Sequence, residues 1–233
     1  LDALERAVDG VDEVEVTVLA MTGYVASDDT GATVVVYDST DTAIPSASKW
    51  VQAYPAHFFL KVNEAQTVRI VATPPAGTPD GEYWARLAFS SRPAATANQK
   101  RKTGMQIMQR VAIPFHYRVG KVFTGLQVGA LTLSSNASDI VMRTKATRTG
   151  NGAFWGSASA RLLDKNGTVV ASSLRNVAVY TSSVVRLVLP RAKVPRGNYT
   201  VSVRFETANR TDVSAQRLVQ GEPVDLKSDI TLE

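Results

Sequence analysis

The segment PPAGTPDGEYWARLAF (residues 74–89) recurs in related form as PRAKVPRGNYTVSVRF (190–205), about half of the 233-residue chain further on. Each copy follows a strand-like run, TVRIVAT (67–73) and VVRLVLP (184–190). Self-similarity at a fixed spacing is typical of a duplicated architecture. The identical positions are Pro74/Pro190, Ala76/Ala192, Pro79/Pro195, Gly81/Gly197, Tyr83/Tyr199 and Phe89/Phe205. The repeat therefore predicts two copies of one β architecture.

Within each copy a strand ends, a Pro/Gly turn follows, and a tyrosine opens the next strand. Proline restricts φ and glycine tolerates positive φ, so the chain can reverse over a few residues. In immunoglobulin-like sandwiches, a tyrosine at this corner donates a hydrogen bond from its hydroxyl to the backbone just upstream. Tyr83 and Tyr199 stand at the matching positions. We interpret both as structural tyrosine corners.

The rest of the chain fits the same architecture. Turn sequences such as SDDTG (27–31), DKNG (164–167) and PRG (195–197) separate short runs of strand-forming residues, as in all-β sandwiches. The sequence predicts an all-β protein of two immunoglobulin-like β-sandwich domains in tandem, 1–121 and 122–233. The predicted strands are 13–25, 32–37, 56–62, 66–73, 82–90, 105–119, 130–135, 139–148, 153–164, 168–173, 176–181, 184–190, 198–207 and about 215–226.

Composition excludes several classes of function. The chain has no cysteine, so disulfides, thiolate metal sites and cysteine nucleophiles are excluded. No apolar run approaches the roughly 20 residues that cross a bilayer. Net charge is +5 and the one tight basic cluster is Lys100, Arg101 and Lys102, but no nucleic-acid-binding motif accompanies it. The chain begins at Leu1, and we expect an export signal to have been removed.

Candidate catalytic and metal-binding residues are sparse. The two histidines, His57 and His116, lie in separate predicted strands with no acidic cluster around either. Asp28 and Asp29 stand in a turn sequence, where carboxylates usually form the turn. Trp84 and Trp155 are predicted to be core residues. We therefore expect no catalytic site, metal or cofactor.

The stretch QKRKTGMQIMQRVAIPFHYR (99–118) is the candidate functional segment. A basic, glycine-containing run leads into a predicted strand with apolar residues at nearly every second position. Such a strand is either an ordinary core strand or one that pairs with another chain. The candidate partner-binding residues are Met105, Ile107, Val111, Ile113, Phe115, Lys100, Arg101 and Lys102.

Residues 50–91 and 111–120 resemble the N-terminal domain of the periplasmic pilus chaperones, the PapD-like family. Four features of that family occur here in the same order. They are P-x-x-F-x-L (Pro55 to Leu60), Q-x-V-R (Gln66 to Arg69), G-x-Y (Gly81 to Tyr83) and F-x-Y-R (Phe115 to Arg118). The second half matches only as a further β-sandwich.

The resemblance implies a non-enzymatic, periplasmic chaperone-like protein for surface-fibre (pilus) subunits. Chaperones of that family lend the last strand of their first domain, strand G, to a subunit that lacks one. Residues 92–104 would be the long loop before that strand. The implied partners are a pilin-like subunit and, as a further candidate, an outer-membrane usher. Nucleic acid and a membrane span are not implied, and the oligomeric state stays open.

The chain departs from the family at the anchoring residues. The chaperones have a lysine shortly before the F-x-Y-R motif that holds the subunit's terminal carboxylate, and here Pro114 occupies that position. The arginine of the family's first strand has no assigned counterpart, because residues 1–10, which include Arg6, match that strand poorly. A structural or adhesive cell-surface protein with spacer or carbohydrate-binding sandwiches therefore remains the alternative, and an accessory domain of a larger enzyme is a third.

Overall fold

The computed structural model describes residues 13–94, 108–210 and 212–233. Their regular structure is sixteen β-strands and one short 3-10 turn, Ala215–Arg217. The fold is all-β, with two β-sandwiches in tandem, as the sequence predicts. Contacts divide the chain into two compact units, and each combines segments that are separate in sequence.

The first unit comprises the described parts of Leu1–Tyr24, Tyr37–Thr78 and Tyr83–Tyr117. Its larger sheet has four strands in the order β5-β1-β7-β8, and β4 pairs with β6 in a second sheet. The strands are β1 (Glu13–Met21), β4 (Val51–Tyr54), β5 (His57–Lys61), β6 (Arg69–Ala72), β7 (Gly81–Pro93) and β8 (Gln109–Val119).

Alternation along β1 shows how the larger sheet acquires a core face. Val16 and Val18 are buried, whereas Glu15 and Leu19 lie on the opposite face. A core cluster of Ala47, Val51, Ala85 and Leu87 packs against partly buried side chains from both sheets of the unit. Trp84 is completely buried, which confirms that prediction.

The second unit comprises Val25–Val36, Pro79–Glu82 and Arg118–Glu233. One sheet has the order β10-β11-β14, with β9 also paired to β11, and the other has the order β13-β12-β15-β16. Residues 25–36 hold most of a separate two-stranded hairpin, β2-β3. The strands are β2 (Tyr24–Ser27), β3 (Thr33–Val36), β9 (Leu126–Val128), β10 (Thr132–Ser135), β11 (Asp139–Arg148), β12 (Phe154–Leu163), β13 (Val169–Val179), β14 (Ser182–Pro190), β15 (Gly197–Glu206) and β16 (Val224–Leu232).

The core of the second unit is one apolar cluster contributed by both sheets. Phe154, Leu162, Leu189 and Phe205 are completely buried in it. Strand β15 contributes alternate residues to this cluster, as expected for a strand with one buried face. At the start of β15 the Tyr199 hydroxyl donates to the Pro195 carbonyl, 2.9 Å away. The predicted tyrosine corner is therefore confirmed in this unit.

Several predicted strands have different limits in the structure. Residues 13–25 form two strands that are interrupted at 22–23, and 168–181 form the single strand β13 rather than two. The last strand is Val224–Leu232 and not about 215–226, because a 3-10 turn occupies Ala215–Arg217. Trp155 is half-buried and outside the main core cluster; its ring packs against Tyr180 and under the Arg210 guanidinium, 4.9 Å from the ring centroid.

Candidate functional site: the open edge of β8

Strand β8 lies at the edge of the four-stranded sheet. It is hydrogen-bonded to β7 on one side, and no strand of the described residues pairs with it on the other. An exposed edge presents backbone N–H and C=O groups that can template the addition of another strand. The edge position therefore gives β8 one structural requirement of a strand that binds another chain.

The odd-numbered side chains of β8 share one face but differ in burial along the strand. Phe115 and Tyr117 pack against the core cluster of the first unit. Val111 and Ile113 continue the same row, yet they are 43% and 48% exposed. The C-terminal half of β8 thus contributes to the core, while the N-terminal half presents two aliphatic side chains to solvent.

The even-numbered side chains of β8 tie the strand to β7. The Arg110 Nε donates to Ser90 Oγ at 3.0 Å, and the Arg118 Nε donates to Glu82 Oε1 at 3.0 Å. The first contact is exposed, and the second involves a carboxylate that is only 2% exposed. Both ends of β8 are therefore held by side-chain contacts to the same neighbouring strand.

Glu82 and Arg118, at the C-terminal end of β8, both belong to the second unit and contact other backbone groups of that unit. Its Oε2 accepts a hydrogen bond from the Ala153 N–H at 2.9 Å, and Arg118 also donates from Nη2 to the Arg217 carbonyl at 2.6 Å. A buried carboxylate is tolerated when its charge is paired and its lone pairs are bonded. Glu82 and Arg118 both lie within the family-like motifs G-x-Y and F-x-Y-R, so the sequence already contained the two charges. It did not indicate that the carboxylate is buried.

Strand β14 is an edge strand of the second unit, but unlike the edge of β8 its outer edge is covered by other residues of the chain. The Val184 N–H donates to Ser27 Oγ at 2.6 Å, and the Arg186 carbonyl accepts from Arg175 Nη1 at 2.6 Å. Arg175 also donates from Nη2 to Thr33 Oγ1 at 3.2 Å. Residues of the β2-β3 hairpin and the Arg175 side chain therefore occupy groups that another strand would need.

The predicted partner-binding residues fall into three groups. Val111 and Ile113 are exposed on the open edge strand, whereas Phe115 is half-buried against the core. Met108, which was not among the candidates, is 62% exposed just before β8. The candidates that lie outside the described residues are Lys100, Arg101, Lys102, Met105 and Ile107.

The residues considered for chemistry have structural partners. The Asp28 carboxylate accepts from the Thr30 N–H and hydroxyl and from the Ala32 N–H, which lowers its pKa and confirms its role in the turn. The Glu15 carboxylate is partly buried, and its hydrogen bonds with Arg92 first and with His57 second lower its pKa to about 2. In 13–94, 108–210 and 212–233, no three His, Asp or Glu side chains are placed to share a metal ion.

The fold defines a tandem β-sandwich protein in which β8 is one of the edge strands of the first unit's larger sheet, the other being β5. No protein-family model matches the chain, and no curated protein matches it by sequence. One solved structure comes from work described as "Chaperone-tip adhesin complex is vital for synergistic activation of CFA/I fimbriae biogenesis". It aligns over 94% of this chain and 86% of that chain, with a TM-score of 0.36 and 11% identity.

A TM-score and an identity this low do not carry the role of that complex over to this chain. Over the described ranges, no helix has the length and apolar character needed to span a bilayer. The features of this chain that bear on function are therefore the geometry of β8 and the family-like motifs in the sequence.

Proposed function

We propose that this protein is a non-enzymatic chaperone or scaffold that binds subunits of a surface fibre by β-strand addition along β8. The observation that carries the proposal is the exposure of Val111 and Ile113 on an edge strand whose other half packs into the core. Backbone hydrogen bonds supply affinity in this mode, and alternate apolar side chains supply fit.

The ordered PapD-like motifs support a pilin-like subunit as the partner and the periplasm as the place where it is met. An outer-membrane usher is a second partner within the same proposal. The coverage of the β14 edge supports β8 as the binding edge, because proteins commonly block edges at which pairing would be harmful. Pro114 stands where the family has its anchoring lysine. The proposal therefore includes a different anchor for the subunit.

Substitution of Ile113 by arginine is the direct test. The change places a charge in the row of side chains that would enter the subunit's apolar groove. Because burying an unpaired charge is costly, we expect the affinity for the subunit to fall by about 100-fold or more. The measurement is co-purification and titration with a co-expressed pilin-like subunit.

Leu19→Arg is the matched control, because Leu19 is 54% exposed in the same sheet on the opposite face. It should leave binding unchanged. Equal binding by wild type and Ile113→Arg would contradict strand addition and favour a structural or adhesive surface protein.

A further inference from the structure

We propose that Pro114 divides β8 into a binding half and a structural half, and that a partner strand pairs with β8 only on the N-terminal side of Pro114, at residues 109–113. This inference rests on the proposed function and narrows its binding edge. It follows from the hydrogen-bond directions of the sheet, which determine which backbone groups of β8 reach the free edge.

Backbone direction can be followed from β1 across the sheet. The Val18 N–H donates to the Ala56 carbonyl, next to β5, and the Ala94 N–H, next to β7, donates to the Glu13 carbonyl of β1. In an antiparallel ladder, successive residues direct both backbone groups to alternate sides. Odd-numbered residues of β1 therefore bond to even-numbered residues of β7, as the pairing of Glu15 with Arg92 requires. Odd-numbered residues of β7 must then face β8.

The register of β8 follows from its two side-chain contacts with β7. Arg110 contacts Ser90 and Arg118 contacts Glu82, and both contacts fit one antiparallel register with these residues directly opposite. In that register odd-numbered residues oppose odd-numbered ones. The odd-numbered residues of β8 therefore bond to β7, and the even-numbered residues direct their backbone groups to the free edge.

Pro114 is even-numbered, so its nitrogen points to the free edge, where a proline is tolerated in a sheet. Arg110 and Ala112 each offer an N–H and a C=O to an incoming strand. Pro114 offers no N–H, and its ring occupies the space that the incoming backbone would need. A ladder that begins at Arg110 therefore loses its regular bonding at Pro114.

Side-chain burial changes at the same residue. On the N-terminal side of Pro114, Val111 and Ile113 are exposed, and on its C-terminal side Phe115 and Tyr117 pack against the core. The backbone groups that can bond to a new strand and the exposed apolar side chains thus lie in the same part of β8, residues 109–113. These are two separate properties of the strand, and both assign the binding half to the same residues.

The partner that we infer for this edge is another folded protein. It has an unpaired edge strand next to a groove that accepts two aliphatic side chains at positions i and i+2 of β8. Val111 and Ile113 supply that pair, and Arg110 and Ala112 supply the backbone bonds. A second copy of this chain is disfavoured, since each copy has a net charge of +5 and copies repel one another.

Amide hydrogen exchange on the free protein tests the orientation without any partner. Amides bonded to β7 should exchange slowly, and those on the free edge should exchange quickly. We expect slow exchange at Val111, Ile113 and Phe115 and fast exchange at Arg110 and Ala112. The opposite pattern would overturn the inference.

The complex with the co-expressed fibre subunit tests where pairing stops. We expect new protection at Arg110 and Ala112 and none at His116. Ala112→Pro should reduce binding at least 10-fold with little change in Tm, because it removes only a free-edge donor, whereas Ala112→Val should bind normally. Pro114→Val restores a donor and should tighten binding by about 2- to 10-fold.

The outcomes separate this inference from the function that it refines. A complex that is lost in Ile113→Arg but shows protection at His116, or is unaffected by Ala112→Pro, would leave strand addition intact and overturn the Pro114 boundary. Absence of any complex would overturn both. A concentration-dependent homodimer protected at Arg110 and Ala112 would overturn the assignment of a different protein as the occupant.

Discussion

Glu82 shows how a single residue determines the local architecture at the end of β8. Its carboxylate is buried, yet it accepts from the Arg118 side chain and from the Ala153 N–H. Removal of one partner of a buried ion pair weakens the compensation of the charge that stays behind, and such losses are larger than the net contribution of an intact pair.

Arg118→Met should lower the free energy of unfolding by about 3 kcal/mol, the low end for a broken buried pair, because Arg118 itself is 39% exposed. Arg110→Met is the control, since Arg110 donates to a neutral, exposed serine; we expect a change of about 0.5 kcal/mol or less. Urea denaturation measures both. Equal midpoints for the two variants would contradict the role assigned to Glu82.

At the scale of elements, the outer edges of β8 and β14 differ. The β14 edge is occupied by Ser27 and Arg175, and at Gly31 the turn of the hairpin lies so close that an added Cβ would be 2.6 Å from the Arg186 Cβ. Gly31 also has a φ of +83°, which favours glycine. The hairpin therefore acts as a cover for β14.

Gly31→Ala should displace this cover, lower Tm by several degrees and cause concentration-dependent association through β14. Gly167→Ala is a matched control in the same unit, because Gly167 has a φ of +80° and nothing within 4 Å of the added Cβ. It should carry only the cost of the left-handed backbone, about 1 kcal/mol. Association of both variants to the same degree, measured by light scattering, would show that the clash with Arg186 is not the cause.

Prediction of elements succeeded where the signal is local. The PRG corner predicts Tyr199 and its bond to Pro195, and SDDTG predicts the turn that Asp28 stabilises. Strand limits were less predictable. The sequence predicts a break at 174–175 between two strands, yet the long ladder to β12 carries the single strand β13 through these residues. Pairing partners outweigh local propensity in sheets.

At the scale of the whole molecule, the second unit is not a continuous segment of sequence. Residues 25–36 and 79–82 belong to it by their contacts. The hairpin covers β14, and Glu82 bonds to Ala153, so residues 122–233 alone lack groups that the folded unit uses.

A fragment of residues 122–233 should therefore melt at least 5 °C below the corresponding transition of the full chain and associate with increasing concentration. The full chain that carries Ile113→Arg is the reference for both measurements, because the substitution suppresses any association through β8. A monomeric fragment with an unchanged Tm would show that the segments from the first half contribute nothing to the stability of this unit.

The sequence by itself determined the fold class, the tyrosine corner at Tyr199 and the candidate strand, because periodicity, turn residues and proline act over a few neighbouring positions. It also placed Pro114 in that strand, and proline indicates an edge. Only the tertiary structure decided that Val111 and Ile113 are exposed while Phe115 is packed, that β14 is covered by residues 25–36, and that Glu82 is buried. These features depend on contacts between residues far apart in the chain, and burial, register and edge coverage are properties of such contacts rather than of local sequence.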